Sequence, residues 1–245
     1  MIDNRWKISR RIDRMRWDRG AVILLAAMGL GLAAQAWLRE NPGANPWAPL
    51  DLRDAEGWAT QGKIADLRDD PVQCRAVLKR SEVPFTVLAA AGEGSCRRTD
   101  RTVLEEAPLS PSQPPTTCAV AAAFELWLDK GLAPASHEIF GQPIERIEHF
   151  GAYSCRRLYG RDEGPWSEHA TGNAIDIAAF VLRDGTRISV LADWSGEHKK
   201  GRFLRHARDA ACRSFGTVLS PDYNRAHADH LHLDQARRGV GGVCR

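Results

Sequence analysis

Ala21 to Leu38 is an unbroken apolar run, AVILLAAMGLGLAAQAWL, closed by Arg39. A soluble helix of that length keeps one polar face, and this one has none. At about 1.5 Å per residue it reaches roughly 27 Å, the lower edge of a bilayer crossing. Beyond it the pattern changes. Residues 39–66 are rich in Asn, Pro and Gly without periodicity and read as a linker. A domain is expected over 67–245. A short helix through Cys74 and a strand near Val83 to Leu88 come first, followed by a proline-rich loop from Pro108 to Pro115. Val120, Phe124 and Trp127/Leu128 then recur at helical spacing, with Thr117 as the cap and Gly131 as the stop. Pro143 to Tyr153 reads as a strand. Asn173–Leu182 and Thr186–Leu191 flank the turn dipeptide Asp184-Gly185 and predict a hairpin. A helix over Gly201–Phe215 and short strands at Thr217–Leu219 and His230–Leu233 complete the set. Helices beside hairpins predict an α+β fold, an antiparallel sheet with flanking helices, preceded by one N-terminal transmembrane helix.

Charge gives the apolar run a direction. The net charge is +3, but residues 1–20 alone hold seven Arg or Lys against three Asp, a net of +4, so the rest sums to −1. A basic lead before an apolar run stays in the cytoplasm and sends the remainder across the membrane. Residues 1–20 are thus read as a cytoplasmic segment and 21–38 as a transmembrane anchor or a signal sequence, with Ala34-Gln35-Ala36 as the cleavage alternative. The expected location is the inner (cytoplasmic) membrane, single-pass, with the C-terminal domain in the periplasm. A slightly negative exported part argues against nucleic acid as a partner.

All six cysteines follow the apolar run: Cys74, Cys96, Cys118, Cys155, Cys212 and Cys244. None forms C-x-x-C, so three disulfides in an oxidising compartment are expected rather than a zinc knuckle. The local pair Cys74–Cys96 is expected among them.

Candidate chemistry sits in the histidines. All eight lie at or beyond His137, and three fall in Ala226-His227-Ala228-Asp229-His230-Leu231-His232-Leu233-Asp234. Strand alternation puts His230, His232 and Asp234 on one face with Leu231 and Leu233 behind. A His-x-His pair alone is weak, but His169 and Asp176 form a second element around Gly172-Asn173. Asp176 lies in an otherwise apolar run, where a carboxylate is costly unless paired or bound to metal. Two imidazoles and a carboxylate suit Zn²⁺ with a fourth position open to water. His227, His198 and His206 are read as surface residues, Glu168 as a solvated neighbour and Tyr153 as core; Arg157, Asp193 and Trp194 stay ambiguous.

Ser167-x-His169-x-x-Gly172-x-Ala174-x-Asp176 with a later His-x-His resembles the core motif of the LAS zinc peptidases (lysostaphin, D-alanyl-D-alanine peptidases, hedgehog). Tyr153-Ser154-Cys155-Arg156, Ser167-Glu168-His169-Ala170, Asp193-Trp194, Phe203-Leu204 and Asp229 to Asp234 together resemble the bacterial extensin-like C-terminal domain family over roughly residues 50–245. The resemblance implies a hedgehog/DD-peptidase-like fold with His169, Asp176 and His232 as zinc ligands. It also implies His230 as base or as stabiliser of the tetrahedral intermediate, Arg156 as grip for a substrate carboxylate and Asp234 as an orienting partner. It has no Glu-x-x-His, the dipeptidase variant. The function expected is a membrane-anchored periplasmic zinc hydrolase (peptidase) acting on peptide amide bonds of peptidoglycan. The rivals are a non-catalytic wall-binding or scaffold domain that keeps the metal and, more weakly, a metal-dependent nuclease or esterase.

Overall fold

The computed structural model describes residues 5–237 and 242–245, with side chains from Asp18 onward; Met1 to Asn4 of the basic segment lie outside the described residues. Helix α1 (Arg5–Glu40) continues the basic lead straight into the apolar run. Its stretch Asp18–Glu40 contains an 18-residue window with a mean hydropathy of 2.0, none of it buried by the rest of the chain. The helix is long and apolar enough to be a membrane span or a signal sequence.

Residues 42–66 are folded, not slack. Leu50, Leu52 and Ile64 enter the core, and helix α2 (Thr60–Asp66) packs on two later helices, Cys118–Trp127 and Lys199–Ser214. The expected linker is therefore part of the domain. Its apolar residues are spaced too irregularly to announce burial, and distant side chains hold them: Ser81 Oγ accepts from the Leu52 amide at 2.8 Å and Arg80 donates to the Leu50 carbonyl at 2.9 Å. Helix α3 (Pro71–Arg80) starts where the Asp70 side chain accepts from the Gln73 amide at 2.9 Å, with proline in the first turn. Strands β1 (Phe85–Val87) and β2 (Thr102–Leu104) form a small antiparallel ribbon.

The main sheet uses β3 (Leu109–Ser110), β4 (Ile144–Gly151), β5 (Ala174–Leu182), β6 (Arg187–Ser189), β7 (Thr217–Leu219), β8 (Leu231–Asp234) and β9 (Val243–Cys244). Their order is β3-β4-β5-β8-β7-β9, with β6 also on β5. The sheet is mixed rather than wholly antiparallel. Its two-residue edges β3 and β9 run parallel to β4 and β7. Each reaches its neighbour through a long excursion, so no tight hairpin dictates direction. Four helices complete the domain: α4 (Cys118–Trp127), α5 (Ala133–Phe140), α6 (Val190–Asp193) and α7 (Lys199–Ser214).

Thr117 caps α4 as expected, its hydroxyl accepting from the Val120 amide at 3.4 Å. Gly131 does not end the helical path. A π turn over Leu128–Leu132 carries it into α5, which stops at Gly141 with φ +73°. Gly131 serves packing instead: a Cβ there would lie 2.7 Å from the Cβ of Ala210 on α7.

The core fills the space between α4, α7 and one face of the sheet. Trp127 meets Phe180 and Phe215 edge-on, Phe180 meets Phe203, and the Trp127 indole donates to the Ala207 carbonyl at 2.8 Å. Ile175 and Ile177 join this core, and so does Phe180, although strict alternation would turn it away. A bulge explains it: β5 pairs through Ala179↔Glu148 and then Ile177↔His149, skipping Ala178. Upstream of the bulge, Asp176 is left on the opposite face.

Three disulfides are present: Cys74–Cys118, Cys96–Cys155 and Cys212–Cys244. The expected Cys74–Cys96 pair is not among them. Cys74 on α3 meets Cys118 in the first turn of α4 because those helices pack together, whereas Cys96 lies in a loop that reaches the residue after Ser154.

Candidate metal centre

Strand pairing builds the centre. Asp176 on β5 lies directly opposite His232 on β8, so their side chains leave the sheet on one face. His169 comes from a 3-10 turn, Glu168–Thr171. Ser167 caps that turn by accepting from the His169 amide at 3.3 Å, and Gly172 at φ +74° ends it, returning the chain to β5.

The three side chains converge on one point. His169 Nε2 lies 3.1 Å from His232 Nδ1 and 3.1 Å from Asp176 Oδ1, and His232 Nδ1 lies 2.8 Å from the same oxygen. Ligand atoms about 2.0–2.1 Å from a tetrahedral zinc stand about 3.3 Å apart. The triangle is nearly that of three zinc ligands.

The outer nitrogens are spoken for. His169 Nδ1 lies 3.2 Å from the Ala152 carbonyl, which can only accept, so that nitrogen carries the proton. His232 Nε2 donates to Asp234 Oδ2 at 3.0 Å, and Asp234 is itself fully buried. Both inner nitrogens thus present lone pairs to the Asp176 carboxylate, and three electron-rich atoms meet in a buried site. Such a cluster draws a cation, either a proton or a metal ion, to its centre. Burial alone pulls the His232 imidazole down, but hydrogen bonds and charge from Asp176 and Asp234 outweigh it and push it up to about 9. Burial alone would raise the Asp176 carboxyl, but hydrogen bonds from His169 and His232 hold it well below the carboxylate range. A metal ion entering the cluster would compete with a proton for the same lone pair.

Around the cluster runs a cleft of about 270 Å³ whose walls include Arg156, Tyr159, Trp166, Tyr223, His227 and His230. His230 points its Nε2 at Asp176 Oδ1 from 3.6 Å, beyond hydrogen-bond reach, while its Nδ1 donates to Asp229 at 2.8 Å. The Arg156 side chain is exposed at the cleft and has no ion-pair partner among the described residues.

His227 is the residue that sequence reasoning missed. It is buried, not on the surface, with its ring 5.2 Å from that of His230 and 5.8 Å from that of His232. Its Nδ1 donates to Asn224 Oδ1 at 2.8 Å, which leaves Nε2 as a lone pair. Burial, then the charges of His230 and His232, lower it to about 4, so it is neutral at pH 7. The signal was its place in the same histidine-rich segment.

The family model for the extensin-like protein C-terminus matches residues 72–245, which carry the whole cluster and its cleft. The chain belongs to this extensin-like family. No curated protein and no solved structure matches it.

Other candidates fall away from the centre of this extensin-like domain. Trp194 is buried and donates to Asp222 at 2.8 Å, and Asp193 accepts from the Ser189 amide at 2.8 Å; neither lines the cleft. Glu168 lines the cleft but is held by Asn173 Nδ2 at 2.7 Å. Arg157 stacks over Trp166. Tyr153, expected in the core, is exposed, with the Arg98 guanidinium 3.6 Å over its ring. His198 and His206 are exposed, as read.

Proposed function

We propose that this protein is a membrane-anchored, exported zinc hydrolase that cuts amide bonds in cell-wall peptides, with a centre like that of the LAS zinc peptidases. The observation that carries the reading is the convergence of His169 Nε2, Asp176 Oδ1 and His232 Nδ1 within 3.1 Å, each imidazole oriented from behind by an acceptor. A nitrogen-and-carboxylate set of three, open to a cleft on its fourth side, is the donor pattern of catalytic zinc rather than structural zinc. His169, Asp176 and His232 would hold the ion, which would supply a water of pKa lowered towards about 7 and a Lewis acid for the scissile carbonyl.

The remaining roles belong to the chain. The Asp229–His230 pair holds an imidazole with Nε2 aimed at the cluster, placed to accept a proton and pass it to the leaving amine. His227, neutral and fixed by Asn224, keeps its Nε2 lone pair beside it as an acceptor. Arg156 offers a planar fork for a substrate carboxylate. In this reading α1 stays in the inner membrane and the domain faces the periplasm, where three disulfides persist and the abundant amide polymer is peptidoglycan.

The test is incubation of the purified, zinc-loaded full chain with peptidoglycan sacculi, following released muropeptides. Release that is lost in His230→Ala with zinc retained supports the reading. Stoichiometric zinc with no release from wild type sinks it and leaves a metal-holding wall-binding domain.

A further inference from the structure

Two tryptophans outside the cleft of the metal centre lie bare. Trp47 keeps 83% of its surface exposed and Trp58 72%, more than any other aromatic side chain among the described residues. Indole rings carry a large apolar area, and two left uncovered on one braced segment mark a contact surface.

Both stand at the exit of α1. Asn41 Nδ2 donates to the Trp37 carbonyl at 2.8 Å and Asn45 Nδ2 to the Leu38 carbonyl at 3.3 Å, while the Trp47 amide donates to Asn45 Oδ1 at 3.0 Å. Trp47 is thus tied to the last turn of α1. Trp58 reaches the same place by another route. Gly57 presses so closely on Gly43 that a Cβ on it would fall 2.4 Å from the Gly43 carbonyl carbon, and the Ala59 amide donates to the Gly43 carbonyl at 3.1 Å. Lys63 Nζ closes the junction on the Pro42 carbonyl at 2.8 Å. The end of α1 and the backbone carrying both indoles are one braced unit.

The apolar run from Ala21 ends at Leu38, about 27 Å further along α1 and close to the thickness of the hydrocarbon core, which places Trp37 at the outer interface of a spanning helix. We propose that Trp47 and Trp58 are seated in the same lipid headgroup layer and dock the domain on the bilayer surface. The proposal rests on the reading of α1 as a membrane span. The occupant follows from continuity with that span and from residue type, since an apolar ring with a single N–H favours the membrane–water boundary. Charge does not do the holding: residues 41–63 carry three acidic and two basic side chains, so docking is independent of anionic lipid and of salt. The docked segment packs on the helical layer, through Gln61 to the Cys212 carbonyl at 3.0 Å and Glu56 to Arg213 at 3.3 Å. The metal cluster lies on the other face of the sheet, so docking leaves the cleft open to substrate outside the bilayer.

The test uses the full chain reconstituted in phosphatidylcholine vesicles whose acyl chains are brominated near the headgroup. Difference spectra against Trp47→Phe and Trp58→Phe isolate the fluorescence of each indole, and Trp37→Phe isolates that of the span. All three are expected to be quenched by bromolipid and shielded from iodide present on both sides, with no change in high salt. Quenched Trp37 with iodide-accessible Trp47 and Trp58 overturns the docking and leaves the anchor standing. Unquenched Trp37 overturns the anchor itself. Thermal melts of each variant check that the domain remains folded; where one does not, the other single variant carries the reading.

Discussion

His232 and Asp234 meet on one face of strand β8, Nε2 to Oδ2 at 3.0 Å, while the second Asp234 oxygen accepts from the Ala236 amide at 2.8 Å. The carboxylate fixes which imidazole nitrogen faces Asp176. Asp234→Asn therefore weakens zinc binding by about 10–100-fold, measured by competition with a chromophoric chelator, as expected for loss of an outer orienting partner. Unchanged affinity would remove Asp234 from the account.

His227 is separable from the ligands, because the triangle of His169, Asp176 and His232 closes without it. His227→Gln is expected to lower hydrolysis by about 10²-fold or more with zinc content unchanged. Loss of zinc in parallel with activity would make it a ligand instead.

Glu125 on α4 supplies a pH dependence unrelated to the centre. Burial, then the neighbouring carboxylates Asp129 and Glu106, push it up to about 7. The folded state thus holds a proton that the unfolded chain releases from about pH 4.5 upwards, so stability is full in acid and is lost as pH rises through 7. Glu125→Gln is expected to add about 1–2 kcal/mol above pH 7 and nothing near pH 4.5. Melting curves across that range check it, and an equal gain at both ends would contradict it.

Gly43 faces the Ala55 carbonyl oxygen so closely that a Cβ would sit 2.2 Å from it. Gly43→Ala forces backbone apart at the junction of α1 and the domain, at a cost of about 1–3 kcal/mol. Denaturant unfolding reads this directly. No loss would mean that residues 42–66 are the slack tether that sequence composition suggests.

What was legible in the sequence follows from where period and chemistry coincide. Alternation along His230 to Asp234 placed His232 and Asp234 together, and the lone carboxylate in the apolar run of β5 singled out Asp176. Gly172-Asn173 announced the turn that returns His169. Asp184-Gly185, with Gly185 at φ +84°, marked the hairpin of β5 and β6. The rest depended on contacts between distant segments. The Cys74–Cys118 pair needs the packing of α3 on α4, which no spacing encodes. His227 belongs to a 3-10 turn, Arg225–His227, where strand periodicity says nothing. Gly131 looks like a helix stop but answers to Ala210 on another helix, and the parallel edges β3 and β9 are set by long excursions rather than by turns.

The central claim is that His169, Asp176 and His232 hold one metal ion. Elemental analysis of the purified full chain after zinc loading and gel filtration, beside Asp176→Ala treated identically, tests it most directly. The account predicts one zinc per wild-type chain and none in the variant, with both melting cooperatively. A folded wild type that retains no zinc, or a variant that retains as much, would contradict it.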